Sequence, residues 1–249
     1  MATVVARPAN PAKRPLSLPG NRFDHFFFSG MALLLLATVF VGFARTYYLA
    51  GVFHAPLPSL IIHLHGAAFS CWILLLITQT SLVSAGRVDI HRRLGIAGFL
   101  LACLMVVLGV MAATDTLMRN AGPPGRDPRS FYVVPITDMM VFATLIFFAF
   151  RARSKPARHK RLILIATIGL SIAAIARWPL VHRNPGEAAL LSYVFLIFMV
   201  LYDLWSTHKV QRATIWAGAL LVLVQQIRPY IGHTTAWHAL AGGIQSLAR

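Results

Sequence analysis

Runs of about twenty predominantly apolar residues recur along the whole chain, and nothing else in the sequence limits its fold as strongly. They cover roughly 26–49, 58–83, 94–115, 131–150, 161–180, 188–207 and 213–231. A helix rising about 1.5 Å per residue crosses a hydrocarbon layer of about 30 Å in about twenty residues. Inside lipid every backbone N–H and C=O must be satisfied within the segment, so each run is expected to be a helix. Membrane-spanning strands would alternate with period two, and these runs do not. At 57% apolar and 12% charged residues, the 249-residue chain has too little polar surface to cover a soluble domain. The expected fold is all-α: an integral membrane bundle of about seven transmembrane helices over 23–232.

The segments around the bundle read differently. Residues 1–22 hold Arg7, Lys13, Arg14 and Arg22 among four prolines and lack an apolar stretch of signal-peptide length, so a disordered basic arm is expected there. Turn chemistry marks the joints: "HAPLPS" (54–59), "AGRVD" (85–89), "NAGPPGRDPRS" (120–130), "RSKPARH" (153–159) and "RNPGE" (183–187). After the last run, Trp237, Leu240, Ala241, Ile244 and Leu247 recur at helical spacing. Residues 233–249 are therefore expected to form a short amphipathic helix at the outer interface.

Lys and Arg set an expected orientation. Fifteen of the 23 fall on the side of the N-terminus when the seven runs are threaded back and forth: four in the arm, then Arg87, Arg92, Arg93, Arg151, Arg153, Lys155, Arg158, Lys160, Arg161, Lys209 and Arg212. Eight fall opposite: Arg45, Arg119, Arg126, Arg129, Arg177, Arg183, Arg228 and Arg249. Basic residues accumulate on the cytoplasmic side, which predicts a cytoplasmic N-terminus and an outer C-terminus in a bacterial inner membrane. The formal net charge of +16 then reads as anchoring to anionic lipid at the cytoplasmic face. No nucleic-acid-binding module accompanies it, so nucleic acid is not an expected partner. Cys71 and Cys103 both lie inside apolar runs and read as small core residues rather than a disulfide pair.

Ionisable residues inside the runs point to function, because charges in a membrane face the bundle interior or water. In the expected topology His63 and His65 of "IIHLHGAAF" lie roughly 5–10 Å below the outer end of the second span. Arg45, Asp115, Asp138, Arg177 and Arg228 fall near the same layer, with His182 and His233 just beyond. Opposite charges at one depth predict a paired cluster of Arg45, Arg177 and Arg228 against Asp115 and Asp138, which either lines an outward-facing pocket or only ties helices together through ion pairs and interface snorkelling with nothing bound. Imidazole ligates haem and metals and carries protons near neutral pH. His63 and His65 are two apart, so on a helix they point in nearly opposite directions and do not grip one metal as an i, i+4 pair would. A bis-histidine haem b would need His182 or His233 from another helix, with the arginines bonding its propionates. His65 shares a stripe with Phe69 and Trp72 and is the expected inward member of the pair.

Weaker signals lie at the inner ends. "HRRLGIAG" (91–98), "HKRLILIAT" (159–167) and "HKVQRATIWAG" (208–218) each start with His and a basic residue. Snorkelling anchors explain the pattern, and so would an approach of His91, His159 and His208 to one another. Asp203 is expected to pair with Lys209, Arg212 or another inner basic residue. Phosphate loops, nucleophile elbows, HExxH and CxxC are all missing from the sequence, which leaves hydrolase and ATPase chemistry without support.

The stretches "HLHGAAFSCWILLLITQTSLVSAGRVDIHRRLGIAG" (63–98), "ARHKRLILIATIGLSIAAIARWP" (157–179) and "YDLWSTHKVQRATIWAG" (202–218) resemble bacterial integral-membrane families of unassigned function, of the DUF2306 and DUF420 type. The second type includes a cytochrome oxidase assembly factor. A looser similarity is to cytochrome b561-like haem bundles, although the two pairs of mid-span histidines of that pattern are missing. The resemblance implies a haem- or metal-linked redox role, or one in assembly of a respiratory complex. The residues alone leave other roles open: binding or transport of a small anion, quinone or lipid, or an accessory subunit of a larger membrane complex.

Overall fold

The computed structural model describes residues 23–56, 58–179, 181 and 185–247. These residues form eight α-helices: α1 (Asp24–Phe43), α2 (Leu60–Ser84), α3 (Val88–Met118), α4 (Pro128–Arg151), α5 (Pro156–Ile175), α6 (Pro185–Thr207), α7 (Arg212–Gly232) and α8 (Thr235–Ser246). A π-helical turn, Ala44–Tyr48, prolongs α1. Among the described residues there is no strand. Five helices are long and apolar enough to cross a membrane: α1 with its π turn, α2, α3, α4 and α6. The chain is thus a multi-pass membrane protein. α5 and α7 fall short of that measure. The first opens on the basic run 158–161, and the second carries Arg212, Gln225, Gln226 and Arg228.

Burial explains how α5 tolerates its charges. Eight of the nine residues from Arg161 to Gly169 are buried, and α5 packs against α1, α4, α6 and α7. A helix enclosed on all sides belongs at the centre of a bundle. Around it, α1, α2, α3, α6 and α7 turn apolar side chains outward, among them Leu33, Phe40, Ile96, Leu100, Leu104, Val107, Ile197 and Leu201. These faces suit lipid, whereas in water so broad an apolar patch would aggregate. Cys71 and Cys103 are unpaired and sit on such outer faces, so the expectation that they are core residues is corrected.

Local chemistry sets the helix ends. Pro128 and Pro156 occupy first-turn positions, where a missing N–H costs nothing. Asp127 caps α4 by accepting from the Ser130 backbone N–H at 2.7 Å. Two boundaries differ from expectation. The fifth apolar run starts at 161, but α5 begins at Pro156, because the basic stretch continues the helix rather than ending it. Arg161 is therefore a helix-interior residue. α3 likewise extends back through 88–93, since "VDIHRR" contains no helix breaker. Where helices cross closely, glycine is required: a Cβ on Gly42 of α1 would overlap the Ala174 backbone of α5.

The connections alternate between two faces. The near face carries the start of α1 and the short α2–α3, α4–α5 and α6–α7 joints. The far face carries the α1–α2 and α3–α4 connections and the end of α5, together with α8. α8 is amphipathic. It packs its Ala241 and Gln245 side against α3 and α4. Gln245 donates to Leu117 O and Asn120 Oδ1 and accepts from Arg129, and Trp237 Nε1 donates to Arg129 O.

Candidate functional site

A cavity of about 580 Å³ opens toward the far face between α1, α2, α3, α4 and α5. Its walls are mostly apolar. Phe69 and Trp72 come from α2, Gly109, Ala112 and Ala113 from α3, and Leu170, Ala173 and Ala176 from α5 and its end. The proline-rich 121–124 segment with Pro128 and Phe131 forms the roof. Few polar side chains reach this space, and His65, Asp138 and Arg177 are the ionisable ones apart from the tyrosines. A mostly apolar hollow of this size with a few convergent polar groups is the usual form of a small-molecule site.

His65 lies against Phe69, ring centroids 4.2 Å apart, and Trp72 follows deeper on the same helix. Its Nδ1 is buried and makes no hydrogen bond. Trp72 is itself anchored, donating through Nε1 to Thr167 Oγ1 at 3.1 Å. His63 takes the other direction, as its spacing demands. It is exposed, its Nδ1 is 3.2 Å from the Tyr47 hydroxyl, and its carbonyl accepts from that hydroxyl at 3.1 Å. The π turn makes this contact possible, with Leu49 N bonded five residues back to Ala44 O at 2.8 Å. That extra residue swings Tyr47 and Tyr48 onto α2. Tyr48 reaches Ser70 at 2.8 Å, and a Cβ on Gly66 would meet the Tyr47 ring at 3.0 Å.

The expected single cluster of three arginines and two aspartates is corrected: the structure divides it. Asp138 of α4 and Arg228 of α7 do pair, at 2.6 Å with Arg228 nearly fully buried. Asp115 instead accepts from Arg119 one turn on, at 2.7 Å, and from Ser59 at the start of α2, at 3.0 Å. It holds two helix ends together and does not line this cavity. Arg45 stacks over Phe53, away from the cavity. Arg177 stacks over Phe43 and donates to Ala173 O at the cavity rim. Sequence depth is blind to azimuth, so residues at one level can face five different ways.

Of the remaining candidates, His233 sits on the exposed far face, 3.5 Å from Ser130 Oγ. His182 lies outside the described residues. At the near face His91 and His159 come together, ring centroids 6.4 Å apart, while His208 is exposed at the end of α6 with a left-handed backbone. Asp203 does find a basic partner, namely Arg161 of α5, bonded through Nε at 2.9 Å and also through Nη2. It accepts further from Gln211 N and Thr214 Oγ1, tying α5, α6 and α7 into one buried node.

No family model, curated protein or solved structure matches the chain.

The fit of a haem or metal can be tested on the donors themselves. Among the described residues no group of three or more metal-capable side chains assembles. One imidazole, His65, faces the cavity; His63 and His233 are turned to Tyr47 and Ser130. Among the described residues, then, no second imidazole joins His65 as an axial ligand for a haem. The roles of Tyr47, Tyr48, Gly66 and Thr167 have no counterpart among the sequence expectations, because a π turn leaves no signature and each residue type is ordinary at a membrane interface.

Proposed function

We propose that all seven long helices span the membrane with the near face cytoplasmic, and that the far-face cavity binds a small amphipathic molecule of the quinone class. Its ring would lie against Phe69 and Trp72, and its carbonyl head would bond to His65. The supporting observation is the buried, unbonded Nδ1 of an imidazole in the wall of a largely apolar cavity. Buried polar atoms without partners are rare and costly, which favours a ligand that supplies the missing bond. The basic asymmetry supports the orientation, and a quinone site is consistent with a role beside a respiratory complex.

The test is titration of the purified protein in detergent with a short-chain ubiquinone, followed by tryptophan quenching from Trp72. Saturable quenching is expected, with affinity about tenfold or more weaker in His65→Ala, the equivalent of one lost hydrogen bond. Equal quenching in both proteins would overturn the assignment. A Soret band in the visible spectrum would replace it with haem.

A further inference from the structure

We infer that His91 and His159 form a second site, at the near face, that binds a phosphate group and takes up one proton as it does so. The two rings come from different helices and approach edge to face at 6.4 Å. Each is half-buried, and each has one nitrogen already engaged. His159 Nδ1 is 2.8 Å from the Ala149 carbonyl, which can only accept, so Nδ1 carries the hydrogen. Gln79 settles the other ring. Its Oε1 accepts from Gly95 N at 3.1 Å, which turns its Nε2 to donate to His91 O and, at 2.6 Å, to His91 Nδ1. His91 Nδ1 is thus an acceptor, and its hydrogen sits on Nε2. Among the described residues neither Nε2 has a hydrogen-bond partner.

The two neutral rings therefore present opposite chemistry. His91 offers a donor, while His159 offers a lone pair that becomes a donor when protonated. An anionic oxygen placed between them accepts from His91 at once and from His159 after it gains a proton. The charges around the pair attract an anion, and they oppose a further positive charge there until the anion has arrived. Arg92 acts on His91 directly, and Arg151 and Arg158 lie on the same face. The carboxylates nearby are committed elsewhere: Asp89 to Arg87, Asp24 to Lys160 and Asp203 to Arg161. No described acid competes for the imidazoles. Phosphate suits such a donor set, and it could come from a lipid headgroup or from solution.

The experiment is calorimetric titration of the whole protein in detergent with dihexanoyl phosphatidylglycerol, repeated in buffers of different ionisation enthalpy at about pH 6 and about pH 8, either side of the ordinary imidazole range. The expected results are uptake of close to one proton per bound lipid at the higher pH, and affinity falling up to tenfold per pH unit there. His159→Gln should abolish the proton uptake, and His91→Phe should weaken binding at both pH values, with helical content unchanged. Inorganic phosphate competing at similar affinity would identify the source as a soluble anion; its failure to compete would identify a lipid. Binding without proton uptake by the unmutated protein would overturn the inference. So would equal affinity for dihexanoyl phosphatidylcholine, or saturation by zinc alone at one per chain.

Discussion

Asp203→Leu offers the sharpest measure of what holds this bundle together. Asp203 accepts from Arg161 Nε at 2.9 Å and Nη2, from Gln211 N at 3.0 Å and from Thr214 Oγ1 at 2.6 Å. The Arg161 and Asp203 side chains are 3% and 1% exposed, so water cannot replace a lost partner. Stranding a buried charge costs about 3–5 kcal/mol. Thr214, also buried, adds about 1 kcal/mol, whereas Gln211 sits at a chain turn that water reaches. The expected loss is about 4–6 kcal/mol. Asp203→Asn keeps the shape and one acceptor and should cost less. Arg161→Met combined with Asp203→Leu removes both charges and should return to within about 1–2 kcal/mol of the unmodified protein, because a buried pair gains little over apolar packing. Unfolding of the unmodified protein, Arg161→Met, Asp203→Leu and the double mutant in mixed micelles with increasing dodecyl sulfate, followed by circular dichroism, gives the four corners of the cycle. A single-mutant loss below about 1 kcal/mol, or a double mutant as unstable as the sum of the singles, would refute the view that the pair closes a buried node.

Three further outcomes are expected. Asp138→Leu should destabilise the protein in the same assay by about 3–5 kcal/mol, because it strands Arg228, 3% exposed, in the bundle. With the two native cysteines replaced, a membrane-impermeant maleimide added from outside should label Gly125→Cys and spare Ser154→Cys; the reverse pattern would place the cavity on the cytoplasmic side. Asp127 has its carboxyl held below the usual carboxylate range, chiefly by the Ser130 backbone N–H it accepts from. The stability it contributes is thus full above the unfolded-state value and is lost as pH falls through the lower folded one. Asp127→Ala should cost about 0.5–1 kcal/mol near neutral pH, at the low end for an N-cap because the side chain is 48% exposed, and nothing in acid below both values.

The helices are legible in the sequence because lipid imposes a simple rule on length and polarity. The ends of α1, α2 and α4 fall close to where hydropathy and turn residues put them. Hydropathy starts α5 five residues late because a window that penalises charge cannot tell a basic loop from a buried basic first turn. That shift hides Arg161, which looks like one more cytoplasmic anchor and is instead the partner of Asp203. Depth can be read from position, and so the layer holding His65 and Asp138 is visible. Azimuth cannot, since it depends on how each helix rolls against its neighbours. Asp115 and Arg45 look equivalent to Asp138 and Arg228 until packing turns them elsewhere. The opposed directions of His63 and His65 are the exception, because they come from helix geometry alone.

The π turn after α1 bears on which length changes the chain can absorb. Loops usually accept an inserted or deleted residue, and helices usually do not. Here the tolerance is inverted at one place. Removing one residue from 44–48 would leave an unbroken α-helix with all its backbone bonds, a change with no obvious cost to folding. The same deletion would rotate the residues on its two sides by about 100° relative to each other, parting Tyr47 from His63 or Tyr48 from Ser70. A single-residue deletion there should therefore yield a stable bundle with an altered cavity wall, and so separate by length alone the requirements of folding from those of the site.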